Sequence, residues 1–440
     1  MKMIVHVLLL VVFYLFMNAE AQATTTIGRG IVVEVGKTKD AKGTPIGGDV
    51  LTVRLTWSNY AGEGSVVNVP VPDDAVILLD GKLAKRGDAM KPGHLVKVLV
   101  DCNYFEFYSK TGQLTSDKPP ADSADGCYTL TLEGAVNVTP ILTALKQTGP
   151  GGKAPLVLHL DCRKDRIVGA AEVAKSNGSR IKGIGGGLLI LACGAFHDVD
   201  ASGLAVKNGK LTGEVKVRFH GSNRATYGSN EAPPPQIPAD GVIATGAYVL
   251  DAAVGSDGAV SGTYRGAVEK TEIAGKLTGT ARARPAAPEA YTVWLRPLPA
   301  PSQLKGAINM HGIRFLGFKV RDRAVKHDHM SGGHCERLGE VASGTASLEA
   351  GKLTAEAKLS VKGSANYTMK LECMLIGDCI FGTYRMTNET GLACEGRLRG
   401  ELLAFDAPAT EGWNEVAFRK EVARLKVERD AKRKAEPAAP

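Results

Sequence analysis

The sequence predicts a mainly β protein: a small N-terminal β-barrel, repeated antiparallel β units that form a sandwich or barrel, and a C-terminal helix. Three observations support this prediction. Short runs of alternating apolar and polar residues are separated by glycine-containing turns along most of the chain. One strand–turn–strand pattern recurs three times. Glycine supplies 52 of the 440 residues, well above its usual share of about 7%, as expected for a chain with many turns.

The recurring pattern covers residues 156–187, 248–279 and 367–400. The second and third copies share a Gly-Thr-Tyr-Arg core, at Gly262–Arg265 and Gly382–Arg385, and every copy ends in two glycines four residues apart. An isolated hairpin is marginally stable in water, so such blocks must pack on one another. The repeat therefore predicts stacked or closed sheets, with its tyrosines interpreted as core residues and not as a sugar-stacking surface.

The first 23 residues read as an export signal. Lys2 precedes an apolar run, Ile4–Phe16, and small-residue cleavage sites follow it. The run is shorter than the roughly 20 apolar residues that a spanning helix needs. We therefore expect removal of the signal, no membrane span afterwards, and a secreted or periplasmic location.

Residues 24–108 predict a small β-barrel, because five short strands are joined by tight turns such as Asp80-Gly81. Within this block, Val76–Lys82 and Met90–Val98 resemble small OB-like β domains of uncharacterised exported bacterial proteins. The resemblance covers under a fifth of the chain. The resemblance implies an OB-like fold for this block, and it implies no catalytic residues.

The remaining chain divides into three β units, a linker and a charged tail. In the tail, Phe418, Val422 and Leu425 recur at helical spacing and share one face. The predicted boundaries are 109–190 for the first unit with a short helix, 191–284 for the second unit with a proline-rich insertion, 285–303 for the linker, 304–405 for the third unit, and 406–440 for the helix and tail.

Eight cysteines in an exported chain favour disulfides, because such compartments are oxidising. Eight cysteines allow many pairings, and proximity in sequence suggests one of them. The alternative is that several cysteines are buried free thiols. The suggested pairs are Cys102–Cys127, Cys162–Cys193, Cys373–Cys379 and Cys335–Cys394.

One dense group of histidines is the only candidate metal site. His327 and His329 alternate along an extended segment, which would place both imidazoles on one face, and His334 follows a Gly-Gly pair. Three such ligands could hold Zn²⁺ or Cu²⁺. The alternative is a polar surface loop with Cys335 in a disulfide. No other cofactor is predicted.

The sequence contains none of the common catalytic motifs: Gly-x-Ser-x-Gly, His-Glu-x-x-His and Cys-x-x-Cys do not occur. Carboxylate pairs such as Asp198/Asp200 are interpreted as solvated turn residues. The glycine-rich stretches at 149–154 and 183–187 lack the pattern of a phosphate or dinucleotide loop. No catalytic or cofactor-binding residue is therefore predicted.

The charge of +8 is spread thinly and forms no basic stripe with interleaved aromatics, which argues against nucleic acid as a partner. The leading hypothesis is an exported, non-catalytic β-repeat protein with a binding or structural role in the envelope or outside the cell. Its partner would be an envelope polysaccharide or another exported protein. Two alternatives remain open: a secreted hydrolase or His-ligated metalloenzyme, and a small-ligand carrier with a barrel cavity.

Overall fold

The structure, a computed structural model, describes residues 27–435 with internal gaps. The predicted signal at 1–23 lies outside the described residues, as does most of the predicted short helix, of which only Thr139 and Ile141 are described, both helical. The gaps are residues 40–44, 59–65, 100–102, 110–117, 138, 140, 142–151, 164–165, 174–195, 222–237, 239, 300–315, 331–339, 361–365, 390, 392 and 405–414.

The N-terminal block is a seven-stranded sheet with strand order β3-β2-β1-β6-β7-β4-β5. It is open in the described residues, whereas we predicted a small barrel. One edge strand, β5, has only two residues and is too short to close the sheet. The elements are β1 (Ile27–Lys39), β2 (Pro45–Ser58), β3 (Val66–Val71), β4 (Val76–Leu79), β5 (Lys82–Leu83), α1 (Arg86–Ala89), β6 (Leu95–Leu99) and β7 (Tyr104–Tyr108).

The next eight strands close into an antiparallel barrel, here called barrel 1. Its last strand pairs with its first, from Leu277↔Leu132 to Arg282↔Cys127. The predicted first and second β units therefore form one barrel, because each half alone would leave its apolar inner face uncovered. The strands are β8 (Gly126–Asn137), β9 (Lys153–Arg163), β10 (Arg166–Val173), β11 (His197–Lys207), β12 (Lys210–His220), β13 (Val242–Val254), β14 (Ala259–Val268) and β15 (Thr271–Arg282).

A second eight-stranded barrel, barrel 2, follows directly. Its last strand pairs with its first, from Thr292↔Leu403 to Pro299↔Gly396. The strands are β16 (Ala290–Pro299), β17 (Leu316–Arg321), β18 (Ala324–Met330), β19 (Glu340–Glu349), β20 (Lys352–Ser360), β21 (Tyr367–Ile376), β22 (Cys379–Asn388) and β23 (Ala393–Leu403).

Strand β16 occupies much of the segment that we predicted to be a linker. Its prolines, Pro297 and Pro299, lie beyond Leu295, the last residue that pairs with β17. Among the described residues, β23 is the one partner of that part of the strand, so the missing N–H groups can face away from the ladder. Prolines near the end of a strand are therefore a poor sign of a linker.

The repeat in the sequence reflects two barrels of the same strand order. The Gly-Thr-Tyr-Arg cores lie on β14 and β22, the seventh strand of each barrel. The first recurring segment, residues 156–187, instead begins on β9 and β10, the second and third strands of barrel 1. It is therefore not an equivalent third copy, and its closing glycines lie outside the described residues.

The repeated tyrosines are core residues that pack over glycines of the neighbouring strand. Tyr264 is opposite Gly275 and Tyr384 is opposite Gly396, and both tyrosines are buried. The Tyr264 hydroxyl donates to the carbonyl oxygen of Glu133 at 2.6 Å, which satisfies its polar atom inside the barrel. The structural interpretation of the repeat is therefore confirmed for these side chains.

The glycine at the start of each Gly-Thr-Tyr-Arg core has no room for a side chain. A Cβ on Gly262 would lie 2.1 Å from the Asp251 carbonyl oxygen, and a Cβ on Gly382 would lie 2.1 Å from that of Glu372. We expect Gly262→Ala to lower the free energy of unfolding by about 1–3 kcal/mol, because the strands must separate locally. Urea denaturation measures this loss.

The control for this substitution is Gly36→Ala in β1, where a Cβ would meet nothing within 4 Å. We expect this change to leave stability nearly unaltered. Equal losses for the two variants would show that close strand approach is not the reason for the glycine.

The predicted C-terminal helix is present as α2 (Glu415–Ala435). Val422 and Leu425 are buried and pack with Val76, Leu95 and other apolar residues of the N-terminal sheet. The amphipathic face identified in the sequence therefore covers one face of that sheet. Among the described residues, neither helix has the length and apolar character required to cross a membrane.

Candidate binding site between the barrels

The structure places two of the three predicted metal ligands only through their backbones. His327 and His329 lie on β18 opposite Phe318 and Gly317, with a register shift between the two pairs. Their side chains and all of His334 lie outside the described residues. The zinc or copper site therefore stays a prediction. No cluster of three or more potential ligands occurs in the described part of the chain.

The cysteines that the structure describes do not form the suggested bonds. Cys127, Cys162 and Cys373 carry free thiols, so Cys102–Cys127, Cys162–Cys193 and Cys373–Cys379 are not linked. In the last pair, Cys373 is opposite Gly382 and Cys379 is opposite Ile376, which sets the two sulfurs three positions apart along the hairpin. The pair Cys335–Cys394 falls on residues whose side chains are not described and stays a prediction.

Burial makes these thiols poor nucleophiles. Burial raises the pKa of Cys127 to about 11 and the pKa values of Cys162 and Cys373 to about 12. A thiol must ionise to attack or to bind a metal. These three cysteines therefore behave as small apolar residues at neutral pH.

The two barrels meet through a small apolar cluster. Phe196 and Cys127 of barrel 1 pack with Ile376 and Phe381 of barrel 2. The Phe196 and Phe381 rings lie 5.7 Å apart, edge to face, and the His159 ring lies 5.0 Å from that of Phe381. The cluster is ringed by charged residues, which fix how one barrel sits against the other.

The first charged group joins β23 to β10. Arg399 forms an ion pair with Glu172, and His159 Nε2 lies 3.5 Å from the other carboxylate oxygen of Glu172. Burial would raise the pKa of Glu172, but Arg399 and His159 lower it to about 2. The carboxylate is therefore charged at neutral pH and holds two elements of different barrels together.

The second charged group joins β23 to β11. Arg397 pairs with both oxygens of Asp198 and stacks over Phe196, with its Cζ atom 4.0 Å from the ring centre. His220 Nε2 lies 2.7 Å from Asp198 Oδ2. Burial opposes ionisation of Asp198, but the hydrogen bonds from His220 and Arg397 hold its pKa well below the usual range.

His197 lies beneath this group and has no exposed surface. Its Nδ1 accepts the backbone N–H of His220 at 3.1 Å, and its Nε2 has no hydrogen-bond partner in the described part of the chain. Burial lowers the pKa of His197 to about 3, and the nearby His220 and Arg397 act in the same direction. His197 is therefore neutral at physiological pH.

An open groove of about 800 Å³ adjoins this interface. It runs over β10 to β14 of barrel 1, and Met374 of barrel 2 lies at its rim. Asp198 and Asp200, which we interpreted as turn residues, lie instead on strand β11 within the groove lining. Asp198 is opposite Arg218 and Asp200 is opposite Lys216, so the groove carries neighbouring charges of opposite sign.

Sequence reasoning missed Arg397 and Arg399, which are the residues of barrel 2 that contact the charged groups of barrel 1. One signal for them was present: the final Gly-x-x-x-Gly of the repeat holds two arginines around Leu398, where the barrel 1 copy holds Lys276 and Thr278. Positions at which the copies of a repeat differ are therefore candidates for functional residues.

No protein-family model and no curated protein matches this chain. Among solved structures, the chain is similar to a double mutant of the vaccine antigen transferrin binding protein B from Haemophilus parasuis Hp5. The match has 9% sequence identity, covers 84% of this chain and 85% of that chain, and has a TM-score of 0.17. At that TM-score the similarity carries no argument about function.

Proposed function

We propose that this chain is an exported, non-catalytic binding protein, and that the groove on barrel 1 holds a segment of another exported protein. The observation that carries the proposal is the groove itself. It is about 800 Å³ in volume, open to solvent, and built on the outer face of a rigid barrel. A rigid scaffold keeps a binding surface in its bound shape and lowers the cost of association.

Two small side chains form the floor of the groove. Ala247 on β13 and Ala267 on β14 lie directly opposite one another and point outward. The next outward pair along these strands is Val249 and Arg265, whose larger side chains stand above the alanines. The change in side-chain size creates a depression across two strands, into which a partner side chain can pack.

Charged residues surround this apolar floor. Asp200 and Lys216 lie along one side, and Thr245 and Glu269 lie at one end, where Glu269 accepts the Thr245 backbone N–H at 2.6 Å. An apolar centre with a charged rim is typical of protein–protein interfaces. Positive and negative side chains alternate along the rim. This arrangement would select partners by the pattern of their charges more than by their net charge.

A protein partner fits this lining better than a polysaccharide. The groove residues that the structure describes include no aromatic ring on which a sugar could stack. The described interiors of both barrels are filled by packed side chains, as expected for eight-stranded barrels. That packing gives the small-ligand carrier no support. The metalloenzyme alternative depends on histidine side chains that are not described.

Site-specific crosslinking tests the proposal. We expect a photo-reactive benzophenone side chain in place of Ala267 to form an adduct with an exported protein in intact cells. The same side chain in place of Ser261, which is exposed on the same strand outside the groove, should form none. Equal adducts at both positions, or none at either, would contradict the proposal.

Filling the groove provides the quantitative test with the purified partner identified by crosslinking. We expect Ala247→Trp to weaken binding by about tenfold or more, or about 1.4 kcal/mol, because the indole occupies the floor. The matched control is Asp251→Trp, four residues along the same outward face and outside the groove lining. If both variants bind as the parent does, the groove is not the binding surface.

A further inference from the structure

The wall of barrel 1 is incomplete between β10 and β11. The two strands pair at three positions only, from Gly169↔Val199 to Ala171↔His197. Strand β11 nevertheless continues to Lys207 and pairs with β12 to that point. Beyond Val199 no further pairs between the two strands are present among the described residues, and β10 has its first residue at Arg166, so the second half of β11 extends past β10.

A cavity of about 290 Å³ occupies this opening. Cys162 and Ile167 line one side, and Leu204 and Val206 line the other. The cavity shares Ile167 and two residues of β11 with the groove described above. The opening and the groove are thus one continuous surface.

The β11 side of the opening is an unpaired strand edge. In the described part of the chain, the backbone of Gly203–Lys207 pairs with β12 and has no main-chain partner on the side of β10. Unpaired N–H and C=O groups along a strand are a template for an added strand. Many proteins bind extended peptides in this way, with main-chain hydrogen bonds providing affinity.

The side chains around the opening alternate in character. Leu204 and Val206 are buried toward the barrel core, together with Cys162. Arg166 and Lys207 are exposed on the outer side, and neither forms an ion pair with a described residue. Arg163 is already engaged, since its guanidinium donates to the carbonyl oxygen of Ala350 at 2.7 Å and pairs with Asp161.

We propose that this opening accepts an extended segment of the partner protein as an added strand on the edge of β11, beside the point where β10 begins. The segment has apolar side chains at alternate positions, facing the cavity lined by Leu204 and Val206, and acidic side chains between them, facing Arg166 and Lys207. The added strand pairs with β11 along Gly203–Lys207, where β12 is the partner on the other side of β11. This inference rests on the proposed function and specifies the element that the partner supplies.

A defined peptide tests strand addition with the full chain. The probe is a fluorescent, end-blocked peptide of about seven residues, the length of an ordinary strand, with Glu and Val alternating. We expect saturable binding by fluorescence anisotropy. The same peptide with N-methyl groups on alternate peptide bonds keeps its side chains and loses main-chain donors, so it should bind about tenfold or more weakly. Equal binding of both forms would overturn strand addition.

Reversing the charge of Arg166 and Lys207 tests whether they recognise the acidic side chains of the added strand. We expect the double variant Arg166→Glu and Lys207→Glu to bind the Glu/Val peptide about tenfold or more weakly and to prefer a Lys/Val peptide. Both positions are exposed, so folding should be unaffected, as circular dichroism would check. No binding of the Glu/Val peptide at millimolar concentration, or an unchanged preference in the double variant, would overturn the proposal.

The variant Ala247→Trp distinguishes strand addition at the opening from partner binding in the groove, the proposed function on which this inference rests. Ala247→Trp fills the groove floor and leaves the opening unaltered, so peptide binding should persist in it. Peptide binding without any crosslink at Ala267 would contradict the groove as a partner site and leave strand addition standing. A crosslink at Ala267 without peptide binding would contradict strand addition alone.

Discussion

Replacing Arg399 with methionine is expected to lower the free energy of unfolding by about 3 kcal/mol. The substitution keeps the length of the side chain and removes the charge that pairs with Glu172. Glu172 then remains mostly buried, and His159, at 3.5 Å, is the basic side chain left beside its carboxylate among the described residues. An uncompensated buried charge costs far more than an exposed one, and urea denaturation at pH 7 measures the difference.

Two comparisons isolate the cause. Lys370→Met breaks an exposed ion pair with Glu356 on barrel 2 and should cost less than about 1 kcal/mol. Adding Glu172→Gln to Arg399→Met removes the orphaned charge and should restore most of the loss. If Arg399→Met costs no more than Lys370→Met, the buried pair does not stabilise the interface.

The same pair contributes to acid sensitivity. Burial opposes ionisation of Glu172, but its partners lower its folded pKa to about 2, below its value of about 4.3 in the unfolded chain. Its contribution to stability is therefore complete above the unfolded pKa and is lost as the pH falls toward 2. The Arg399→Met variant should lack this part of the acid transition.

The second large effect concerns His197, whose substitution should remove much of the loss of stability between pH 7 and pH 5. Burial lowers the folded pKa of His197 to about 3, whereas the unfolded value is about 6.5. Below that value the unfolded chain binds a proton that the folded chain does not. Stability therefore falls by about 1.4 kcal/mol per pH unit, or about 2 kcal/mol at pH 5.

His197→Asn tests this prediction, because an amide oxygen can replace Nδ1 as acceptor for the His220 backbone N–H and does not titrate. We expect some loss at pH 7, since the contact with the Phe219 ring at 5.2 Å is removed. The informative quantity is the difference between the free energies of unfolding at pH 7 and pH 5. An identical difference in the parent and the variant would contradict the assigned role of His197.

Local structure was predictable from the sequence because it depends on local chemistry. Asp80 and Gly81 both have positive φ angles, of 50° and 79°, as the predicted hairpin turn requires. Asn208-Gly209 in barrel 1 and Ala350-Gly351 in barrel 2 adopt the same conformation. In each case neighbouring residues determine the conformation.

The closure of the barrels and the site between them were not predictable, because both depend on residues far apart in the chain. Arg399 and Glu172 are separated by 227 residues, and nothing near either one identifies its partner. The opening beside β11 depends on where β10 stops pairing, which the alternating pattern of either strand does not encode. The groove floor arises from the size of two alanines that are unremarkable in sequence.

The packing of helix α2 against the N-terminal sheet has a consequence for biosynthesis. Lys426 lies 3.4 Å from Asp74, although 352 residues separate them. The sheet is synthesised early, with Val76 and Leu95 on the face that α2 later covers. Helix α2 cannot cover that face until both barrels have been synthesised. Contacts between residues so far apart in the chain also form slowly. During that interval the apolar residues of this face lack the cover that α2 provides in the folded protein.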